Sequence, residues 1–198
     1  MLFIDSADLT DIAFAFDHGV VRGVTTNPLF LKPEAHRETL PKILSASTGP
    51  VSVQVSGARD TWQAQAKGLF GRDPRLVVKV PCVPEGLRLV HRLYGNRLSF
   101  NVTGVMSAAQ ATVAAATGAG YVSVFWCRAR DAKLDPADAI RAAKRDSASV
   151  IVGSIRSPED VVDALFAGAD IVTVPPKILR AMFDHPKTDE FIEQCEGR

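Results

Sequence analysis

What most constrains the fold of this chain is a repeat of rhythm. Short runs rich in valine and isoleucine recur along the sequence, each followed by a helix-length stretch. The runs are Leu2–Asp5, residues 23–26, residues 51–55, Leu76–Pro81, residues 98–103, residues 121–126, residues 149–154 and Ile171–Val174. Between them, helical patterns cover residues 7–16, 34–44, 59–70, 107–117, 136–144 and 176–183. Two more open at Pro84-Glu85-Gly86-Leu87, with proline placed as at a first turn, and at Ser157-Pro158-Glu159-Asp160. In the first helix Leu9, Ile12, Ala13 and Phe16 mark the apolar face, and residues 188–195 predict a short helical tail. Strands apolar on both sides belong to a parallel sheet covered on both faces. Eight units of about 25 residues describe an α/β closed barrel, the compact (β/α)8 or TIM-barrel arrangement with a short C-terminal helix. A doubly wound open sheet is the alternative, but it seldom needs eight regular units in so short a chain. No linker or low-complexity segment interrupts the cycle, so residues 1–198 are expected to form one barrel domain.

Composition narrows the function classes. Lys+Arg 23 against Asp+Glu 22 gives a formal net charge of +1. Without a basic stripe, nucleic acid is not an expected partner. Cys82, Cys127 and Cys195 are odd in number and widely spaced, which argues against disulfides or a zinc site and suits a reducing cytoplasm. His18, His36, His91 and His185 give no metal-ligand spacing, so no metal is expected. The N-terminus Met1-Leu2-Phe3-Ile4-Asp5 is already strand-like and lacks a secretory pattern, and no run is long enough to span a membrane. The expectation is a cytoplasmic protein.

The chemistry centres on Lys79, inside Leu76-Val77-Val78-Lys79-Val80-Pro81. Desolvation lowers the pKa of a buried lysine towards the neutral amine, a nucleophile able to form a Schiff base with a ketone. A lysine that snorkels from the strand end is the other reading.

Barrels of this kind carry their sites at the carboxyl ends of the strands. The polar residues there are Asp5, Asn27, Gln54, Lys79, Asn101, Thr103, Ser123, Arg128, Ser154 and Arg156. Each has an ordinary structural role open to it: Asn27 as a turn residue, Asp5 as a helix cap, Gln54 as an outward strand position, the arginines as solvated loop residues. Their convergence on one rim is what points to a site. Lys79, Asp5, Gln54 and Thr103 suit a lysine nucleophile with a carboxylate and a held water. Arg128, Ser154, Arg156 and the helix N-terminus at Ser157 suit a phosphate dianion.

The stretches Phe3-Ile4-Asp5-Ser6, Gly23-Val24-Thr25-Thr26-Asn27-Pro28, Val78-Lys79-Val80-Pro81 with Glu85-Gly86, Asn101-Val102-Thr103, Gly153-Ser154-Ile155-Arg156 and Thr173-Val174-Pro175-Pro176-Lys177 together resemble the small transaldolases and the related fructose-6-phosphate aldolases. The resemblance implies a cofactor-free class I enzyme acting on sugar phosphates, with Lys79 as the Schiff-base lysine and Asp5 as the acid/base. It implies that Thr103 and Gln54 hold the catalytic water and that Asn27, Asn101 and Ser123 contact donor hydroxyls. It implies as well that Phe125 lines the donor site and that Arg128, Ser154 and Arg156 take the phosphate. A homo-oligomer, pentamer or decamer, is also implied, through a last helix that here stops early at Gly197-Arg198. Gln54 is like the aldolase branch, where transaldolases carry glutamate; Phe125 is like transaldolases, where the aldolases carry tyrosine. Cys127 and Val83 also depart from the family pattern, and the loop over residues 129–135 is shorter. Transaldolase is the favoured activity and fructose-6-phosphate aldolase the alternative. Behind them stand a sugar-phosphate isomerase and a non-catalytic sugar-phosphate binder.

Overall fold

The computed structural model describes residues 1–69, 72–93, 99–146 and 148–196. Eight parallel strands, β1 (Leu2–Asp5), β2 (Val24–Thr25), β3 (Val51–Gln54), β4 (Leu76–Pro81), β5 (Ser99–Val105), β6 (Tyr121–Phe125), β7 (Ser149–Gly153) and β8 (Ile171–Val174), pair in chain order. Pairing of β1 with β8, Leu2 opposite Val172 and Ile4 opposite Val174, closes the barrel. Around it run α1 (Leu9–Asp17), α2 (His36–Ala46), α3 (Trp62–Leu69), α4 (Pro84–Leu93), α5 (Ala108–Ala115), α6 (Trp126–Asp131), α7 (Pro136–Ala143), α8 (Pro158–Phe166), α9 (Pro176–Ala181) and α10 (Pro186–Cys195). Among the described residues no helix is long and apolar enough to cross a membrane.

Strand alternation sorts the side chains into two populations. Ile4, Val24, Val53, Val78, Val80, Val102, Val124, Val152 and Val174 belong to one large buried cluster with helix residues such as Ile12, Leu40, Leu89 and Ile140. A second cluster, Phe3, Ile151 and Ile171 with Tyr121 against it, is small and comes from the other strand face. Phe3 fits there because Gly23 has no side chain: a Cβ at that position would stand 2.6 Å from the phenyl ring. The next inward positions are short and polar, Thr25, Ser52, Asn101, Ser123 and Thr173, all buried. A core this polar costs stability unless it is hydrogen-bonded, which directs attention to the mouth above it.

Four expectations are corrected. The buried side of α1 is Ile12 and Ala15, with Phe16 partly buried, while Leu9 and Ala13 are exposed. The cap of α1 is Asp8, whose carboxylate accepts from the amides of Thr10 and Asp11. Asp5 is therefore released from that role. The segment after β6 is a helix: α6 begins at Trp126, so Arg128 sits on a helical turn and not in a loop. Ten α-helices stand among the described residues where eight and a tail were expected, and 3-10 turns at Pro33–Ala35 and Arg59–Thr61 precede α2 and α3. The expected ends of the third helix at Phe70, of the fifth strand at Leu98 and of the chain at Gly197-Arg198 lie outside the described residues. No residue of α10 is buried.

Candidate active site

The carboxyl ends of the strands enclose a cavity of about 300 Å3. Its walls include Asp5, Asn27, Gln54, Lys79, Thr103, Ser123, Phe125, Arg128 and Ser154, nine of the eleven residues expected there, together with Pro81, Gly104, Gly153 and Thr173. Register explains the convergence. Gln54 lies opposite Lys79 and Lys79 opposite Asn101, while Thr103, two residues beyond Asn101, lies opposite Ser123, so neighbouring strands present their inward positions towards one mouth. A register shift between Thr103 and Val105, with Gly104 at φ 76°, interrupts the ladder to β6 just beyond the threonine.

Lys79 is 5% exposed and its Nζ donates to the Thr26 carbonyl at 3.1 Å. Its side chain points inward and does not snorkel out. Burial holds the ammonium below the ordinary lysine pKa, with the Asp5 charge opposing. Asp5 faces the same cavity and accepts a hydrogen bond from the Thr25 hydroxyl at 2.7 Å. Burial pushes its carboxyl above the ordinary value, against the Lys79 charge, the Thr25 bond and Arg128. An acid raised and a base lowered bring the two pKa values towards each other, as acid–base work near neutral pH requires. The Thr103 hydroxyl is buried against the cavity with no hydrogen-bond partner among the described residues. An orphan of that kind is costly in a dry core and is satisfied by a water or a ligand hydroxyl.

Two expected residues are not in the wall. Asn101 is fully buried beneath it, accepting from Ser123 Oγ at 2.7 Å and donating to Ser52 Oγ at 3.3 Å. It braces Ser123 from one level down. Arg156 is turned away from the cavity and forked onto the Asp131 carboxylate on α6, with one of the two bonds at 2.9 Å. The helix N-terminus is also taken: Asp160 Oδ2 accepts from the amides of Arg156 and Ser157, both at 3.0 Å, and from the Cys127 thiol at 3.1 Å. Burial works to raise the Asp160 pKa, but those bonds and Arg130 hold it below the usual carboxylate range. Burial pushes the Cys127 thiol up to about 11, with the bond to Asp160 adding to it, so the thiol is a packed donor and not a reactive thiolate. What the cavity keeps for an anion is Arg128, its guanidinium 5.0 Å from the Phe125 ring centroid, and Ser154, held at φ 62°.

The sequence profile described as Transaldolase/Fructose-6-phosphate aldolase matches residues 2–197. The chain belongs to that family. A probable transaldolase of Desulfotalea psychrophila is 39% identical, over 97% of this chain and 94% of that one. Another, of Thermoplasma volcanium, is 35% identical over 96% and 90%. Among solved structures the chain superposes on inosine 5'-monophosphate dehydrogenase from Legionella pneumophila with a TM-score of 0.63 at 18% identity. The match covers 89% of this chain but only 58% of that enzyme, and it shows the barrel fold alone. Thr25, buried behind Asp5, and Thr173, in the cavity wall, are the residues whose place sequence reasoning missed. Both stand in the quoted stretches, but threonine in a strand is ordinary, and nothing in the sequence marks two hydroxyls as touching.

Proposed function

We propose that the chain is a transaldolase that moves a dihydroxyacetone unit from a ketose phosphate such as fructose 6-phosphate to an aldose phosphate such as erythrose 4-phosphate. The observation that carries this reading is the Lys79 amine, buried among strands yet open to a cavity it shares with Asp5. The neutral Nζ attacks the donor's C2 carbonyl, and the carbonyl oxygen leaves as water to give an iminium. Asp5 takes the proton of the C4 hydroxyl, the C3–C4 bond breaks, and its electron pair passes into the iminium to give an enamine. The released aldose phosphate departs. The enamine carbon then attacks the acceptor aldehyde, Asp5 returns its proton to the new alkoxide, and water hydrolyses the iminium. The unpartnered Thr103 hydroxyl and the Gln54 amide are suited to hold the water that serves these transfers. Asn27 and Ser123 face the donor hydroxyls, and Arg128 with Ser154 faces its phosphate.

The aldolase outcome, protonation of the enamine and loss of free dihydroxyacetone, is the second reading, and the Gln54 side chain favours it by likeness to that branch. Against it, Phe125 stands at the mouth without a hydroxyl to deliver a proton. Release of dihydroxyacetone from fructose 6-phosphate, measured with and without erythrose 4-phosphate, separates the two. Transfer requires that turnover depend on the acceptor, and rapid release without it overturns the assignment. Borohydride with dihydroxyacetone, followed by peptide mapping, is expected to place the adduct on Lys79; an unlabelled Lys79 would point to the isomerase class.

Asp131 competes for the phosphate. While Arg156 is forked onto Asp131, the donor's phosphate has Arg128 as its one guanidinium partner. Asp131→Asn unties Arg156 and removes an anion acting on Arg128's surroundings. Exposed ion pairs exchange easily, so the KM for fructose 6-phosphate is expected to fall roughly two- to fivefold at low salt. The KM for an unphosphorylated ketose is expected not to move.

A further inference from the structure

Behind Asp5 stands a chain of hydroxyls that the reaction as written does not use. Thr25 Oγ1 lies 2.7 Å from Asp5 Oδ1, and Thr173 Oγ1 lies 2.6 Å from Thr25 Oγ1. Thr25 is 0% exposed and Thr173 5%, and the second of these reaches the cavity wall. The two belong to β2 and β8, the strands on either side of β1, so the contact exists only because the barrel closes. Direction follows from inventory. An ionised carboxylate only accepts, so Thr25 spends its one proton on Asp5, and the short contact beyond it must be Thr173 donating to Thr25. The Thr173 side chain is fixed in that pose from the far side. Its Cγ2 methyl packs against Gly153, where an added Cβ would lie only 3.2 Å away. A β-branched residue so confined has little rotamer freedom left.

We propose that Thr173 is a positioning residue that acts through Thr25 to hold the Asp5 carboxylate ionised and aimed at the reacting hydroxyl. The inference rests on Asp5 being the acid/base of the reaction proposed above. The Thr25 bond is one of the forces that keep the Asp5 pKa from rising further under burial. A donor that is itself accepting a hydrogen bond is the stronger donor, so the second hydroxyl strengthens the first. The charged groups acting on Asp5 are Lys79 from β4 and Arg128 from α6. Asp8, the exposed cap of α1 three residues on, is committed to the α1 amides, and β2 and β8 bring only hydroxyls.

The test is the acid limb of the kcat/KM profile for fructose 6-phosphate in Thr25→Val, Thr173→Val, the double variant, Thr173→Ser and Asp5→Asn. Losing a hydrogen bond to a charged group is expected to move the limb up by about one pH unit in Thr25→Val. Thr173→Val is expected to move it the same way by a few tenths of a unit, roughly a third as far. The double variant should match Thr25→Val alone, because Thr173 has no route to Asp5 except through Thr25. Thr173→Ser restores the hydroxyl and should restore the wild-type limb. A limb in Thr173→Val that coincides with wild type, or a double variant whose shift is the sum of the two, overturns the relay while the Schiff-base reading stands. Asp5→Asn turning over at the wild-type rate overturns the relay and the acid/base role of Asp5 together, and the borohydride adduct on Lys79 tests the Schiff base separately.

Discussion

Lys79→Met is expected to lower kcat by at least about three orders of magnitude, the scale seen when a covalent nucleophile is removed and binding is all that is left. Methionine matches the length and volume of the lysine stem, so the packing of β4 between β3 and β5 survives. What goes is the amine, and with it the iminium that takes the electron pair when the C3–C4 bond breaks. Lys79→Arg is the sharper control. It keeps the charge and the hydrogen-bonding reach towards the Thr26 carbonyl, but a guanidinium stays protonated and does not attack a ketone. Both variants should therefore bind fructose 6-phosphate, fail to form a borohydride-stable adduct with dihydroxyacetone, and fail to turn over. A methionine variant with a tenth of wild-type activity would show that the lysine is a binding group, and the Schiff base would have to be abandoned.

The lysine was legible in the sequence because a long cationic side chain among valines is an anomaly, and anomalies survive the loss of three-dimensional information. The same is true of the barrel. Its strands are near-continuous apolar runs, and their number and spacing leave few ways to close. Depth is harder to read than direction. Asn101 and Thr103 share a face of β5, as residues two apart must, but Asn101 lies one level down and is covered by the layer that Thr103 belongs to. Sequence alternation specifies the face and is silent on the level. Arg156 fails for a different reason. Its partner Asp131 lies on α6, six residues long, which begins directly on the apolar end of β6 with no proline or glycine between them. Strand and helix share the run Val124-Phe125-Trp126-Cys127, and a helix of under two turns has too few residues to show a period. The ion pair that removes Arg156 from the cavity was hidden with it. The Thr25 and Thr173 hydroxyls are 148 positions apart and meet only through closure, which no local pattern encodes.

Asp5→Asn separates the two halves of the chemistry. Asparagine keeps the shape, and its side-chain carbonyl can still accept from Thr25, but it cannot take a proton at any working pH. Loss of a general base costs about 10²–10⁴ in rate, so kcat for cleavage of fructose 6-phosphate is expected to fall within that range. Capture of dihydroxyacetone on Lys79 should persist, since the amine loses only the carboxylate charge that was raising its pKa, and a larger share of it becomes neutral. Adduct without cleavage is therefore the signature, and loss of both together would make Asp5 a structural residue. The pH dependence follows from the directions of the two shifts. Wild-type kcat/KM should fall as pH drops through the raised Asp5 pKa, because the base becomes protonated, and the same drop charges the lowered Lys79. Stability runs the opposite way for the carboxyl. A folded-state pKa above the unfolded one means that ionised Asp5 penalises the fold at high pH, and the penalty is lost as pH falls through the folded-state value. The thermal midpoint of Asp5→Asn relative to wild type should accordingly be highest at neutral pH and decline as pH is lowered, while the activity deficit of the variant narrows over the same interval. A difference in midpoint that stays flat with pH would mean that the carboxylate is solvated, and a solvated carboxylate would have no raised pKa to work with.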